Sequence, residues 1–140
     1  MEACPGLMIL KLIGRLTGDC AATIDLPLVS EWGRWEGRDK TGTSLEVDIV
    51  APLLEGGMLT GAIKWTDAPM TAAVHFRHLD MLRRAAAAGQ KWAHEALEPE
   101  SSLLYAAAAG FDVSFRRATE QAGQPVILLD LEDMYSPVLG

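Results

Sequence analysis

This sequence has little of several things, and each scarcity excludes a class of protein. It has two cysteines, Cys4 and Cys20, in 140 residues. Two cysteines do not make a secreted disulfide framework, so free thiols in a cytoplasmic protein are expected. With three histidines in all, a zinc site is disfavoured as well. His75 and His78 stand three apart on an expected helix without a third ligand in view, and they are read as surface or helix-rim residues. No run approaches the roughly 18–20 apolar residues that a membrane helix needs. LMILKLIG (7–14) is short, carries Lys11, and lacks the basic segment and cleavage site of a signal peptide. Positive charge is scarce: 12 Lys and Arg stand against 19 Asp and Glu, a formal net charge of −7. That excludes a nonspecific nucleic-acid coat but leaves room for a local basic groove. Arg34, Arg38 and Lys40 lie close in sequence, as do Arg77, Arg83 and Arg84, and Arg116 and Arg117. Taken singly, each cluster reads as a solvated face. No GxxxxGK[ST] phosphate loop, G-x-S-x-G elbow or Cys–His nucleophile pattern occurs.

The length suits one domain, 1–140, with a single core. Residues 2–16 pattern as a helix, and DLPLVSEWGRWEG (25–37) as an extended segment. RDKTGT (38–43) is turn chemistry. SLEVDIVAPLL alternates, with Glu46, Asp48 and Val50 on one face and Val47, Ile49 and Ala51 on the other. EGG (55–57) supplies a turn. MLTGAIKW then puts Met58, Thr60, Ala62 and Lys64 on one face, and Leu59, Gly61, Ile63 and Trp65 on the other. A turn centred near Gly56 sets Asp48 roughly opposite Lys64. TDAP opens a helix over about 70–88, ended by Gly89. QKWAHEALEPE reads as a polar joint. SSLLYAAAAGF is assigned as a short buried strand, DVSFRRATEQAG as a helix, and residues 126–131 as a buried strand. The order α-β-β-β-α-β-α-β predicts an α/β fold: a mixed sheet with helices on both faces.

An acid and a lysine on neighbouring strands suit phosphodiester hydrolysis. Carboxylates hold Mg²⁺, which polarises the phosphate and acidifies a bound water. A lysine orients that water and offsets developing negative charge. GRWEG (33–37), EVDIVA (46–51), IKW (63–65), AGF (109–111) and VILLDLEDMY near the end together resemble the PD-(D/E)xK restriction-endonuclease-like superfamily. More closely, they resemble the domain of unknown function at the C-terminus of archaeal and bacterial AAA-type ATPases. The resemblance spans nearly the whole chain. It implies a restriction-endonuclease-like sheet, Mg²⁺ as cofactor, and DNA and an ATPase module as partners. Beginning at its own Met1, the chain reads as a standalone or truncated copy of that module.

By the same resemblance, Asp48 matches the metal-binding aspartate, Lys64 the lysine, and Glu46 the acid before the aspartate. Glu2 matches the glutamate of the first helix. Ala62 departs from the pattern, because it stands where a second acid is expected and a methyl group cannot ligate Mg²⁺. Two readings of Glu46 follow. In one it supplies the missing acid. In the other, which is preferred, it forms a surface cross-strand ion pair with Lys64. Asp48, amid VDIV in a buried-looking strand, needs a partner, and Lys64 is the expected one. Trp32, Trp35, Trp65 and Trp92 are read as packing rather than base-stacking residues. The function expected is a nuclease-like domain with a degenerate site, acting as a DNA-associated or regulatory module. The alternative is an active Mg²⁺-dependent endonuclease using Glu46.

Overall fold

The computed structural model describes residues 33–54 and 56–130. The helix expected over 2–16, and with it Glu2, Cys4, Cys20, Trp32 and the stretch after Asp130, lie outside the described residues.

Five strands form one mixed sheet in the order β1-β2-β3-β4-β5. They are β1 (Gly33–Arg38), β2 (Ser44–Pro52), β3 (Met58–Lys64), β4 (Ser102–Ala107) and β5 (Val126–Asp130). The first two pairings are antiparallel and the last two parallel. Short turns suffice for the antiparallel part, whereas each parallel step needs a crossover. Helices α1 (Ala72–Ala87) and α2 (Lys91–Ala96) make the first crossover, and α3 (Val113–Glu120) makes the second. The mixed α/β architecture expected from the sequence is present. The described helices share one face of the sheet, where Val47, Leu103, Tyr105 and Ala107 pack with Leu82, Ala96 and Phe115. The opposite face carries a second buried cluster, including Ile49, Leu59, Leu104 and Leu129.

Every residue of β4 is buried. A strand paired in parallel on both edges has both faces covered, so it reads as an uninterrupted apolar run. That is why SLLYAA is a strand despite its alanines. The segment read as a polar joint contains a helix instead, α2. Its Ala93 and Ala96 are buried three apart, and Trp92 meets Trp35 edge-on with ring centroids 5.1 Å apart. Two small residues and one aromatic give a six-residue helix an apolar side too short for a periodicity reading to detect.

The β2–β3 hairpin corrects two expectations. Its turn closes between Leu53 and Gly57, with Gly56 and Gly57 at φ +104° and +85°, a region that favours glycine. The ladder pairs Pro52 with Met58 and Ile49 with Gly61. The turn centre therefore falls one residue earlier than expected, and continuation of the ladder sets Asp48 against Ala62, not Lys64. A shift of two in the partner keeps every side chain on its face. Strict alternation along β2 also fails. Trp35 pairs with Val47 but Gly33 with Val50, so two steps on β1 match three on β2. This β-bulge at Asp48–Ile49 puts Val47 and Val50 together on the helix side, and Ile49 and Ala51 on the other.

Gly61 of β3 stands beside Leu104 of β4 with no room for a side chain. A Cβ there would collide with the Leu104 carbonyl, a backbone atom that cannot swing aside. Gly61→Ala is expected to destabilise the domain by about 1–3 kcal/mol or more, read as a lower urea midpoint. A midpoint equal to wild type would show that the strands separate freely.

Candidate functional site

The cleft forms where the central strands part. Ladder pairing between β2 and β3 is last seen at Ile49–Gly61, while β3 runs on to Lys64, paired only with β4. The Ile63 amide is thereby left facing the gap. Asp48, turned by the bulge, fills it: Ile63 N–H donates to Asp48 Oδ2 at 2.9 Å. A charged acceptor makes such a bond worth about 1.5–3 kcal/mol when shielded, and the half-buried Asp48 belongs at the low end. The expected partner, Lys64, forms no ion pair with Asp48 or any other described residue.

Asp48 and Lys64 nonetheless line one cleft of about 360 Å³, together with Glu46, Ala62, Arg77, His78 and the first turn of α1. Asp48 and Lys64 thus border a common cavity without a hydrogen bond or ion pair between them. Glu46 is not paired with Lys64. It accepts from Arg34 at 2.9 Å, both side chains being more than half exposed. The charge of Glu46 in turn raises the Arg34 pKa. Arg34, Glu36 and Glu46 alternate with Trp35 and Val47, which face the helices. Lys64 shares its side of β3 with Thr60, whose hydroxyl bonds to α1. Held by Arg34, Glu46 makes no ion pair with Lys64, although both line the cleft.

The position of α1 is set by polar ties at its start. Met70 N–H donates to the Gly110 carbonyl and Asp112 N–H to the Met70 carbonyl, at 2.9 and 3.0 Å. Ala72 N–H donates to Ser114 Oγ at 3.1 Å. Asp112 caps α3 through Phe115 N–H, and the Ser114 hydroxyl lowers its pKa. The three arginines grouped in the sequence then separate. Arg77 faces the cleft, Arg83 a second cavity of about 380 Å³, and Arg84 binds Asp80 and Asp39.

The histidines depart furthest from expectation. His75 and His78 are buried at 2% and 4% exposure, not surface residues. His78 Nε2 shares a 3.0 Å hydrogen bond with Thr60 Oγ1, and His75 Nδ1 a 2.7 Å bond with the Tyr105 hydroxyl. They occupy the inward stripe of α1 with Leu82 and Ala85, because the strands beneath offer a hydroxyl at each place. Histidine spacing alone gives no sign of this. Thr60 and Tyr105, inward-facing polar residues on neighbouring strands, were the available signal. Burial pushes His78 down to about 3. It also lowers His75, with help from Arg83, and raises Tyr105.

Among the described residues, no three His, Cys, Asp or Glu side chains are placed to share a metal ion. Asp48 has one oxygen committed to an amide, Glu46 is committed to Arg34, and Ala62 offers a methyl. These donors by themselves do not fit Mg²⁺, a hard ion that takes six oxygen ligands. Trp35, Trp65 and Trp92 pack against apolar clusters. No described helix is long and apolar enough to cross a membrane.

The described chain combines a five-stranded mixed sheet with helices that cross between its parallel strands. Among solved structures it is similar to EndoMS in its apo form, at 8% identity and a TM-score of 0.48, over 93% of this chain and 48% of that one. It is also similar to AspBHI, a DNA modification-dependent restriction endonuclease, at 13% identity and a TM-score of 0.44, over 99% of this chain and 36% of that one. A third likeness is to EndoMS in a complex with double-stranded DNA, at 13% identity and a TM-score of 0.42, over 93% and 47%. The chain spans less than half the length of each of these structures. These are likenesses of chain course, and no residue role is carried across. No family model and no curated protein matches the chain.

The buried histidines generate a pH prediction. Unfolded, His78 binds a proton near pH 6.5, whereas folded it refuses one until about pH 3. Stability from neutral His78 is full above pH 6.5 and is lost as pH falls toward 3, by up to about 1.4 kcal/mol per unit. Urea midpoints measured from pH 7 to 5 should fall with acidification, and less steeply in His78→Gln. An equal slope in both proteins would contradict the buried neutral imidazole.

Proposed function

We propose that this chain is a nuclease-like domain with a degenerate hydrolytic site, acting as a DNA-associated or regulatory module of an ATPase system. The observation that carries the reading is Ala62. By extension of the ladder it lies against Asp48, at the cleft, where a second carboxylate is needed and a methyl stands. Glu46, the one described acid available to replace it, is held by Arg34. Removing a charged ligand from a site of two or three carboxylates weakens Mg²⁺ severely, because the hydration shell is given up reluctantly. The link to an ATPase rests on the motif resemblance. Without a phosphate-binding loop of its own, the chain would depend on another polypeptide segment for ATP hydrolysis.

A second reading has one specific observation in its favour. Glu46 and Asp48 border the same cleft as an unpaired Lys64, and rotation of Glu46 away from Arg34 would add a carboxylate to Asp48. In that reading Asp48, Glu46 and the Glu2 assigned by resemblance hold the ion, and Lys64 orients the attacking water.

Calorimetric titration with Mg²⁺ and Mn²⁺ separates the two. Wild type is expected to show no saturable binding in the low millimolar range, and no nicking of supercoiled plasmid. Ala62→Glu is expected to gain measurable affinity, and Asp48→Ala to abolish that gain. Tight wild-type binding with metal-dependent nicking, both lost in Asp48→Ala, would replace the first reading by the second.

A further inference from the structure

The cleft is distinguished by which of its charges are already satisfied. Its two acids are engaged within the sheet: Glu46 by Arg34 at 2.9 Å, and Asp48 by the Ile63 amide at 2.9 Å. Its two cations are not. Lys64 from β3 and Arg77 from α1 line the same cavity, and neither takes part in an ion pair or side-chain hydrogen bond among the described residues. Arg34 and Arg84 are taken by carboxylates, Arg34 by Glu46 and Arg84 by Asp80 and Asp39, whereas Arg77 shares its cavity with a second cation. Like charges brought to one concave wall repel, and an anion between them relieves that repulsion. At Ala62 an acid would have competed for both cations, and the methyl does not. The first turn of α1, on the same wall, carries no acidic residue. A volume of about 360 Å³ is within the range of ligand-sized clefts.

The geometry points to Lys64 and Arg77 as a metal-independent seat for a backbone phosphate of DNA. Arg77 there supplies the positive charge that a divalent ion supplies in a hydrolytic site. Its planar guanidinium grips two phosphate oxygens at once, and Lys64 adds a point charge. Asp48 then opposes the phosphate instead of serving it, which reverses the sign of its effect relative to a metal site. This inference rests on the reading of the chain as a DNA-associated module with a degenerate site.

Fluorescence anisotropy of a labelled short duplex, in EDTA at low salt, tests the seat. Wild type should bind. Arg77→Ala and Lys64→Ala should each weaken binding about tenfold or more and reduce the salt slope by about one. Arg77→Lys should restore part of the affinity. Asp48→Asn, which keeps an acceptor for the Ile63 amide, should bind as tightly as wild type or more so. Arg77 is exposed and Lys64 half-exposed, so thermal melts of both variants should match wild type. Inorganic phosphate as competitor distinguishes the sources of the anion. Displacement at a concentration no higher than that of the duplex's own phosphates would assign the seat to free phosphate and overturn the DNA assignment. Absence of binding in EDTA, or binding indifferent to Arg77→Ala, would overturn this inference and leave the degenerate site standing. Binding that requires Mg²⁺ and vanishes in Asp48→Asn would overturn both.

Discussion

One hydrogen bond organises the centre of this domain, from the Ile63 amide to the carboxylate of Asp48. Two antiparallel strands that part company leave a backbone donor without its ladder partner, and a buried donor cannot be left so cheaply. Asp48 closes that account from the side-chain end. The parting of β2 from β3 is thus stabilised, not merely tolerated, and the parting is what opens the cleft. The bulge on β2 is the backbone adjustment that turns Asp48 toward the donor. Split, bulge and carboxylate form one device, and removing any of them would alter the other two.

Beneath the cleft, the same helix that supplies Arg77 is anchored by polar contacts that a purely apolar core would lack. His75 with Tyr105 and His78 with Thr60 fix the rotation of α1 over the sheet. Apolar packing is tolerant of small rotations, whereas a paired buried imidazole is not, since an unmet polar group inside costs about 1–3 kcal/mol. Around these contacts the aromatic rings meet edge-on, Tyr105 against Phe115 with centroids 4.9 Å apart. Rotation of α1 decides whether residue 77 faces the cleft or solvent. A core network thereby bears on the charge of a surface site. The tie between Ala72 and Ser114 fixes the start of α1 against α3.

Much of this was legible beforehand. Alternation in MLTGAIKW placed Thr60, Ala62 and Lys64 on one face, and they are found there. The apolar run of SLLYAA was recognisable as a doubly covered strand. Alternation could not reveal a bulge, because an inserted residue on one strand is defined only by its neighbour. Nor could helix periodicity show that His75 and His78 point inward, since the hydroxyls that make this affordable lie 18 and 30 positions away along the chain.

Local chemistry in the amino-acid sequence by itself determined the order of the five strands and of helices α1 and α3, the turns at Gly56 and Gly57, and the presence of Asp48, Lys64 and Ala62 around one hairpin. These are matters of period, turn geometry and residue type, all expressed within a few residues. Tertiary structure alone decided that Asp48 answers to the Ile63 amide, that Glu46 is claimed by Arg34, and that Arg77 joins Lys64 in the cleft. Such pairings depend on which strand lies beside which and how a helix is rotated. Side-chain partners a few ångströms apart in space are chosen by packing, not by distance along the chain.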